Sequence, residues 1–314
     1  MVENNMILLC GIPSEPPLAR VQRELVDMGV SHVLFNQRHA ANSKLDFEVG
    51  RESVTGTLTL EGADYELDSF TGAYTRLMDV TRLPELADEP AASPRRAQTV
   101  LVHDELVRWL EVTPGRVVNR SRPMASNSSK PYQAQLIKSF GFATPETLIT
   151  NDPEAVRVFR AEFGRVVYKS ISGVRSIVSE LTDDDLSRLH TIRWCPVQFQ
   201  QYVHGLDIRV HVVGERVFAT AIHSNGTDYR YVGNSAEGEI DLNPYHIDDT
   251  VAATCVALTN HLGLSFSGID LRVSPDGKVY CFEVNPSPAF SFYESHTGQP
   301  IARAVASYLV GDSD

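Results

Sequence analysis

A chain of 314 residues, 42% hydrophobic and 22% charged, is long enough to bury a full core and to divide into two or three compact parts. Its formal charge of -12 excludes a general nucleic-acid or acidic-membrane surface, since phosphate-rich partners need clustered Lys and Arg; any anion must be held by local cations or metal ions. The four cysteines (Cys10, Cys195, Cys255, Cys281) stand far apart with no CxxC pair, which indicates neither a zinc site nor a disulfide framework and fits a reducing cytoplasm.

The apolar run from Met6 to Cys10 is too short to span a membrane and follows acidic and amide residues instead of a basic segment, so a first buried strand is expected there. With a Pro-rich turn, a helix over 18–28 and a strand over 32–36, it makes a small α/β unit. No GxGxxG follows that strand and no GxxxxGK[ST] occurs, which excludes the dinucleotide fingerprint and the P-loop. Glu61-Gly62 signals a hairpin between strands at 53–60 and 63–67, and a further strand is expected at 72–77. Residues 81–96 read as a connecting loop before a helix near 99–110. Ser129 as cap and Pro131 in the first turn open the next helix, which runs to Gly141. Three domains are expected: residues 1–120, 121–196 and 197–314. Strands at 165–169, 207–213, 217–222 and 279–284 and helices at 248–262 and 299–309 fill the later part, with no internal repeat.

The stretch from Asp270 to Pro286 carries the most chemistry. It reads as two strands joined by a Pro-Asp-Gly turn, a hairpin that brings Asp270 near Glu283 and Asn285. Strand residues two apart share a face, so Glu283 and Asn285 point the same way. Two carboxylates and an amide oxygen are hard ligands that suit Mg²⁺. The alternative is a surface hairpin whose acids face water; against it, Glu283 stands between Phe282 and Val284 on an apolar strand, where an unpaired carboxylate is costly to bury.

The order and context of these residues resemble the ATP-grasp superfamily of ligases, whose metal site is an acidic residue on one strand and Glu-x-Asn on the next. The resemblance covers roughly residues 119–310. It implies an α/β ATP-grasp fold preceded by an N-terminal pre-ATP-grasp α/β domain, with ATP and two Mg²⁺ ions as cofactors. It further implies metal ligation by Asp270, Glu283 and Asn285, and phosphate contacts from Lys130, Lys169 and a small-residue loop including Ser172 and Gly173. The segment 197–210 looks like the hinge of the ATP clasp. Gln201, Tyr202 and Val203 take the adenine-reading places there, Gln201 standing where Glu is usual and Asp207 being a substitute for its ribose contact. Arg209 matches the arginine that steadies the transferring phosphoryl group, a role a delocalised cation suits because charge develops there in the transition state. Asp228-Tyr229-Arg230 and Asn234 resemble the element over the phosphates or the acceptor, which makes Arg230 a second catalytic candidate and Asn234 a nucleotide contact.

Ten histidines without HxxxH spacing assign none to a metal, and no Gly-x-Ser-x-Gly or Cys/His motif supplies an enzyme nucleophile. The expected reaction is therefore carboxylate–amine ligation through a substrate-bound acyl phosphate, releasing ADP and phosphate. Within the superfamily the chain looks most like ribosomal-protein glutamate ligases and the microviridin-type graspetide ligases, which close lactone or lactam rings on ribosomal peptides. It departs from the latter after Asn285-Pro286, where Ser287-Pro288-Ala289-Phe290 replaces a polar segment. Three readings follow: a ligase for an amino acid or dipeptide, whose pocket Arg76, Arg272, Tyr293 and Glu294 would line; a peptide-modifying ligase; and a non-catalytic nucleotide-binding module. Relatives suggest a homodimer.

Overall fold

The structure, a computed structural model, describes residues 6–51, 53–171, 178–223 and 240–312. The first unit is a parallel sheet of β1 (Met6–Gly11), β2 (His32–Asn36), β6 (Phe70–Thr75) and β7 (Arg116–Val118) in the order β2-β1-β6-β7. Helix α1 (Pro16–Asp27) starts with proline, which is tolerated in a first turn, and buries Leu18, Val21 and Leu25 at helical spacing. The expected hairpin is present as β4 (Val54–Leu60) and β5 (Ala63–Glu66), turned by Glu61 and Gly62, both at positive φ. Its third strand, β3 (Lys44–Val49), was not anticipated from the sequence, and β6 begins and ends two residues earlier than expected. The 81–96 segment contains short 3₁₀ turns. Helix α2 (Pro94–Val112) starts earlier than expected because Ser93 Oγ accepts the Arg96 N–H and caps it.

Downstream lies an antiparallel sheet in the order β10-β9-β11-β8, from β8 (Thr147–Thr150), β9 (Val166–Ser170), β10 (Ser179–Glu180) and β11 (Val197–Gln201). A second antiparallel sheet, in the order β14-β13-β12-β15-β16, contains β12 (Leu206–Val213), β13 (Arg216–His223), β14 (Asp241–Pro244), β15 (Phe266–Val273) and β16 (Val279–Asn285). Alternation divides the second sheet's faces. Ile208, Val210, Val212, Ile269, Leu271 and Val284 pack under the helix Asp249–His261 and against Ile137. The opposite face carries Asp207, Arg209 and His211 on β12 and their cross-strand partners Arg272, Asp270 and Gly268 on β15.

Ile137 belongs to helix α3 (Lys130–Ser139). Ser129 occupies its N-cap position but makes no capping hydrogen bond with its side chain, contrary to the sequence expectation. The helix is instead tied to strand β16 through buried Gln133, whose amide donates to the Val284 carbonyl (2.8 Å) and accepts the Val284 N–H (3.0 Å). These bonds satisfy an outward-facing peptide on an edge strand.

The two units are joined at Asn119. Its side chain, 4% exposed, donates to the carbonyls of Phe266 and Pro286 (2.6 Å each) and accepts from the backbone N–H groups of Ser265 (2.8 Å) and Phe266 (3.0 Å). The helix Ile301–Val310 returns to pack beside α1, completing the first unit's core. Replacing Asn119 by Ala strands the buried Phe266 N–H, the half-buried Ser265 N–H and two carbonyls. It is expected to lower stability by about 3 kcal/mol, read as a shift of the urea unfolding midpoint.

Candidate active site

A cleft opens between the two antiparallel sheets. Its lining includes Lys169 from β9, Gln201, Tyr202 and Val203 from the crossing between sheets, Asp207 from β12, Asp270 from β15 and Glu283 from β16. With Arg272 from β15, eight of the residues singled out in the sequence thus meet in one place. Apolar residues stand between them, among them Val167, Val178, Ile222 and Phe282. Such a lining, with a few convergent polar groups, is the usual make-up of a small-molecule site.

The crossing is tightly specified. Gly205 lies at φ +152°, and a β-carbon there would come within 2.2 Å of the Val273 carbonyl oxygen, so only glycine lets β12 start this close to β15. That start sets the register in which Asp207 faces Arg272. The Arg272 guanidinium grips the Asp207 carboxylate through Nε (2.7 Å) and Nη2 (2.8 Å), and Nη1 donates to the Val203 carbonyl (2.7 Å). Its planar fork also lies 5.6 Å from the Tyr202 ring centre and 5.2 Å from that of Phe282. Arg165 covers Tyr202 at 3.7 Å. Arg272, expected to line a substrate pocket, does line this cleft, with its donors directed to Asp207 and the Val203 carbonyl.

At the other end the acidic residues carry cationic partners. Asp270 Oδ1 accepts from Arg209 Nη1 at 2.6 Å, and Glu283 Oε2 accepts from Lys130 Nζ at 2.9 Å. Lys130 reaches Glu283 because it stands three residues before Gln133 on one face of α3, and Gln133 pins that face to β16. Arg209 is 6% exposed, and Gly268 makes room for it: a β-carbon on Gly268 would sit 2.3 Å from Arg209 Nη2. Behind Arg209 on the same strand face, buried His211 has its pKa lowered well below the usual value, first by burial and then by the Arg209 charge. It stays neutral and adds no second positive charge.

The pairing of β15 with β16 explains how one strand serves both core and cleft. Asp270 faces Glu283 and Leu271 faces Cys281, so Phe282 is an extra residue in a bulge. Strict alternation would set Cys281 on the same side as Glu283. With the bulge, Cys281 and Val284 join the helix-side core while Phe282 and Glu283 line the cleft. Asn285 follows two residues on, opposite Gly268, and its Oδ1 accepts the Ser287 N–H at 2.9 Å. Burial, above all, pushes the Cys281 thiol well above its ordinary range, so it is no nucleophile for this site.

Two further residues expected around a substrate have other partners. Arg76 is held by Glu15 and Ser287, and Glu294 accepts the Ala302 N–H (2.9 Å) and pairs with Arg20 (3.2 Å). Ser172, Gly173, Arg230 and Asn234 lie outside the described residues. The sequence reading missed Gly268 and Gln133, which make no contact of their own with the cleft; a glycine and a glutamine before apolar residues carry no periodic signal.

The family model of RimK-like ATP-grasp domains matches residues 127–309. Human beta-citrylglutamate synthase B is 29% identical over 216 residues, which cover 65% of this chain and 55% of that protein. The chain thus spans about half the length of the curated relatives it matches first. Among solved structures, a Chryseobacterium gregarium RiPP-associated ATP-grasp ligase in complex with ADP and a leader and core peptide superposes with a TM-score of 0.83 at 22% identity. It covers 99% of this chain and 98% of its own. The ATP-grasp ligase PsnB, complexed with a phosphomimetic variant of its minimal precursor, Mg and ADP, gives a TM-score of 0.80 at 25% identity and covers 99% of both chains.

Proposed function

Since this chain belongs to the RimK-like ATP-grasp family, we propose that it is an ATP-dependent ligase that joins a carboxylate to an amine of an amino acid or peptide through an acyl phosphate. The observation that carries this reading is the convergence of Lys169, Asp207, Asp270 and Glu283 on one cleft, with Arg209 and Lys130 seated on the two acidic residues. In this reading residues 1–120 are the pre-ATP-grasp domain, 121–196 the central subdomain and 197–314 the subdomain bearing the metal site, in a cytoplasmic protein.

Asp270, Glu283 and Asn285 fit Mg²⁺: two carboxylates and an amide oxygen on facing strands offer hard oxygen donors and leave the rest of the shell to phosphate and water. When bound, Mg²⁺ would neutralise phosphate charge as a Lewis acid. The base would stack in the apolar end, with Gln201, Tyr202 and Val203 reading its edge. Asp207, oriented by Arg272, would accept from the ribose hydroxyls. Lys169 and Lys130, with Ser172, Gly173 and Asn234, would hold the phosphates. A substrate carboxylate oxygen then attacks the γ-phosphorus and ADP leaves. The amine attacks the acyl carbon, phosphate departs with that oxygen, and the amine loses a proton. Arg209, with Arg230, would stabilise the charge that grows on the phosphoryl and tetrahedral oxygens.

A second reading, ring closure on a ribosomal precursor peptide, is favoured by one observation: the similarity to the C. gregarium enzyme runs the length of both chains, whereas the curated relatives are covered only in part. The test offers ATP and Mg²⁺ with pooled amino acids and dipeptides in one arm and acidic, Thr- or Lys-containing precursor peptides in the other, followed by product mass. A condensed product of two reactants supports the first reading. A peptide lighter by one water per ADP released transfers the assignment to the second. No ATP turnover in either arm, with a protein that binds ATP, would leave a non-catalytic nucleotide-binding module.

A further inference from the structure

Arg76 stands just past the carboxyl end of β6, in the first unit, yet reaches the loop that follows the last proposed metal ligand. Its side chain is 10% exposed. Nε donates to the two Glu15 oxygens (2.9 and 3.1 Å) and Nη2 pairs with the same carboxylate. Nη1 donates to Ser287 Oγ (2.5 Å) and lies 3.4 Å from the Pro288 carbonyl oxygen. Ser287 is flanked by Pro286 and Pro288, neither of which has a backbone N–H, so its own N–H is the one main-chain donor of the triplet. That N–H is directed to Asn285 Oδ1 at 2.9 Å. Pro286 is held in turn, its carbonyl accepting from Asn119 at 2.6 Å.

We propose that Arg76 is a positioning residue for the metal site. Anchored on Glu15, it holds Ser287 and Pro288 in place, and through them orients the Asn285 amide so that the oxygen, with a second lone pair still available, faces the cation. The inference rests on the reading of Asp270, Glu283 and Asn285 as the metal ligands. Arg76 lines a cavity with Glu15 and Ser287, and its guanidinium is directed at Glu15 and the Ser287–Pro288 loop.

The test is a Mn²⁺ titration, read by electron paramagnetic resonance at saturating ADP, on the full chain and on R76A, S287A and E283Q, each first checked by circular dichroism. Both R76A and S287A are expected to weaken Mn²⁺ binding about tenfold, and E283Q to weaken it far more. S287A removes a single hydroxyl and so covers the case in which R76A does not fold. In turnover assays the half-saturating Mg²⁺ concentration should rise for both variants while KM for the carboxylate substrate stays put. If E283Q binds Mn²⁺ as the unaltered chain does, the metal reading itself falls. If E283Q loses Mn²⁺ while R76A and S287A keep it, or if R76A raises only the substrate KM, the positioning role is overturned.

Discussion

Glu283→Gln is expected to reduce turnover by more than about a hundredfold while leaving the urea midpoint nearly unchanged. Even partners one step removed from a metal change affinity or activity by roughly 10–100-fold, and Glu283 is assigned here as a direct ligand. Stability should respond far less than rate, because glutamine keeps the volume of Glu283 and an oxygen acceptor for Lys130, whose ammonium is left with a hydrogen-bond partner. Steady-state kinetics beside urea unfolding separates the two outcomes. A variant of near-normal rate would remove Glu283 from the metal site. A variant that is inactive because it is unfolded would say that the carboxylate is there for the fold.

Arg209→Lys should lower kcat by on the order of a hundredfold or more with little change in KM for ATP, the pattern of an interaction made in the transition state. Lysine keeps the charge beside Asp270 but not the planar guanidinium fork that holds it. The comparison with Arg209→Ala is informative for a structural reason. Removing the cation leaves the Asp270 carboxylate without its guanidinium partner at a 19% exposed position, so the Ala variant should lose stability as well as rate. Gly268→Ala is its geometric counterpart, since the new methyl would occupy the space of the Arg209 guanidinium.

How far the sequence could be read is clearest along β15 and β16. Phe282-Glu283-Val284-Asn285 announced a charged strand among apolar residues, and the Pro-Asp-Gly turn announced the hairpin that sets Asp270 opposite Glu283. The bulge at Phe282 was not legible, because no residue there departs from ordinary strand chemistry. The bulge is nonetheless what lets Cys281 and Glu283 face opposite ways. The ATP-grasp architecture followed from motif order, and the nearly full-length structural matches agree with it. The partners of long cations were the least legible. For Arg76, Arg272 and Glu294 composition could not say which charge lies beside which. Their partners, Glu15, Asp207 and Arg20, are 61, 65 and 274 residues away in sequence. Lys130 and Arg209 could be placed by motif; that each would rest on one of the acidic pair could not.

The first unit shows the same division. β1, β2 and α1 were visible in apolar periodicity and Pro placement, whereas β3 was hidden between a 3₁₀ turn and a polar stretch. Asn119, a lone amide on the far side of the chain's midpoint from its four backbone partners, gave no local sign of the joint it forms.

Activation of the substrate carboxylate by phosphoryl transfer is the step on which the proposed ligase activity rests. Its most direct measurement supplies that carboxylate labelled with ¹⁸O and follows the label after one turnover. Attack on the γ-phosphorus predicts ADP as the nucleotide product and one ¹⁸O in the released inorganic phosphate. AMP carrying the label, together with pyrophosphate, would mean attack on the α-phosphorus and would contradict it.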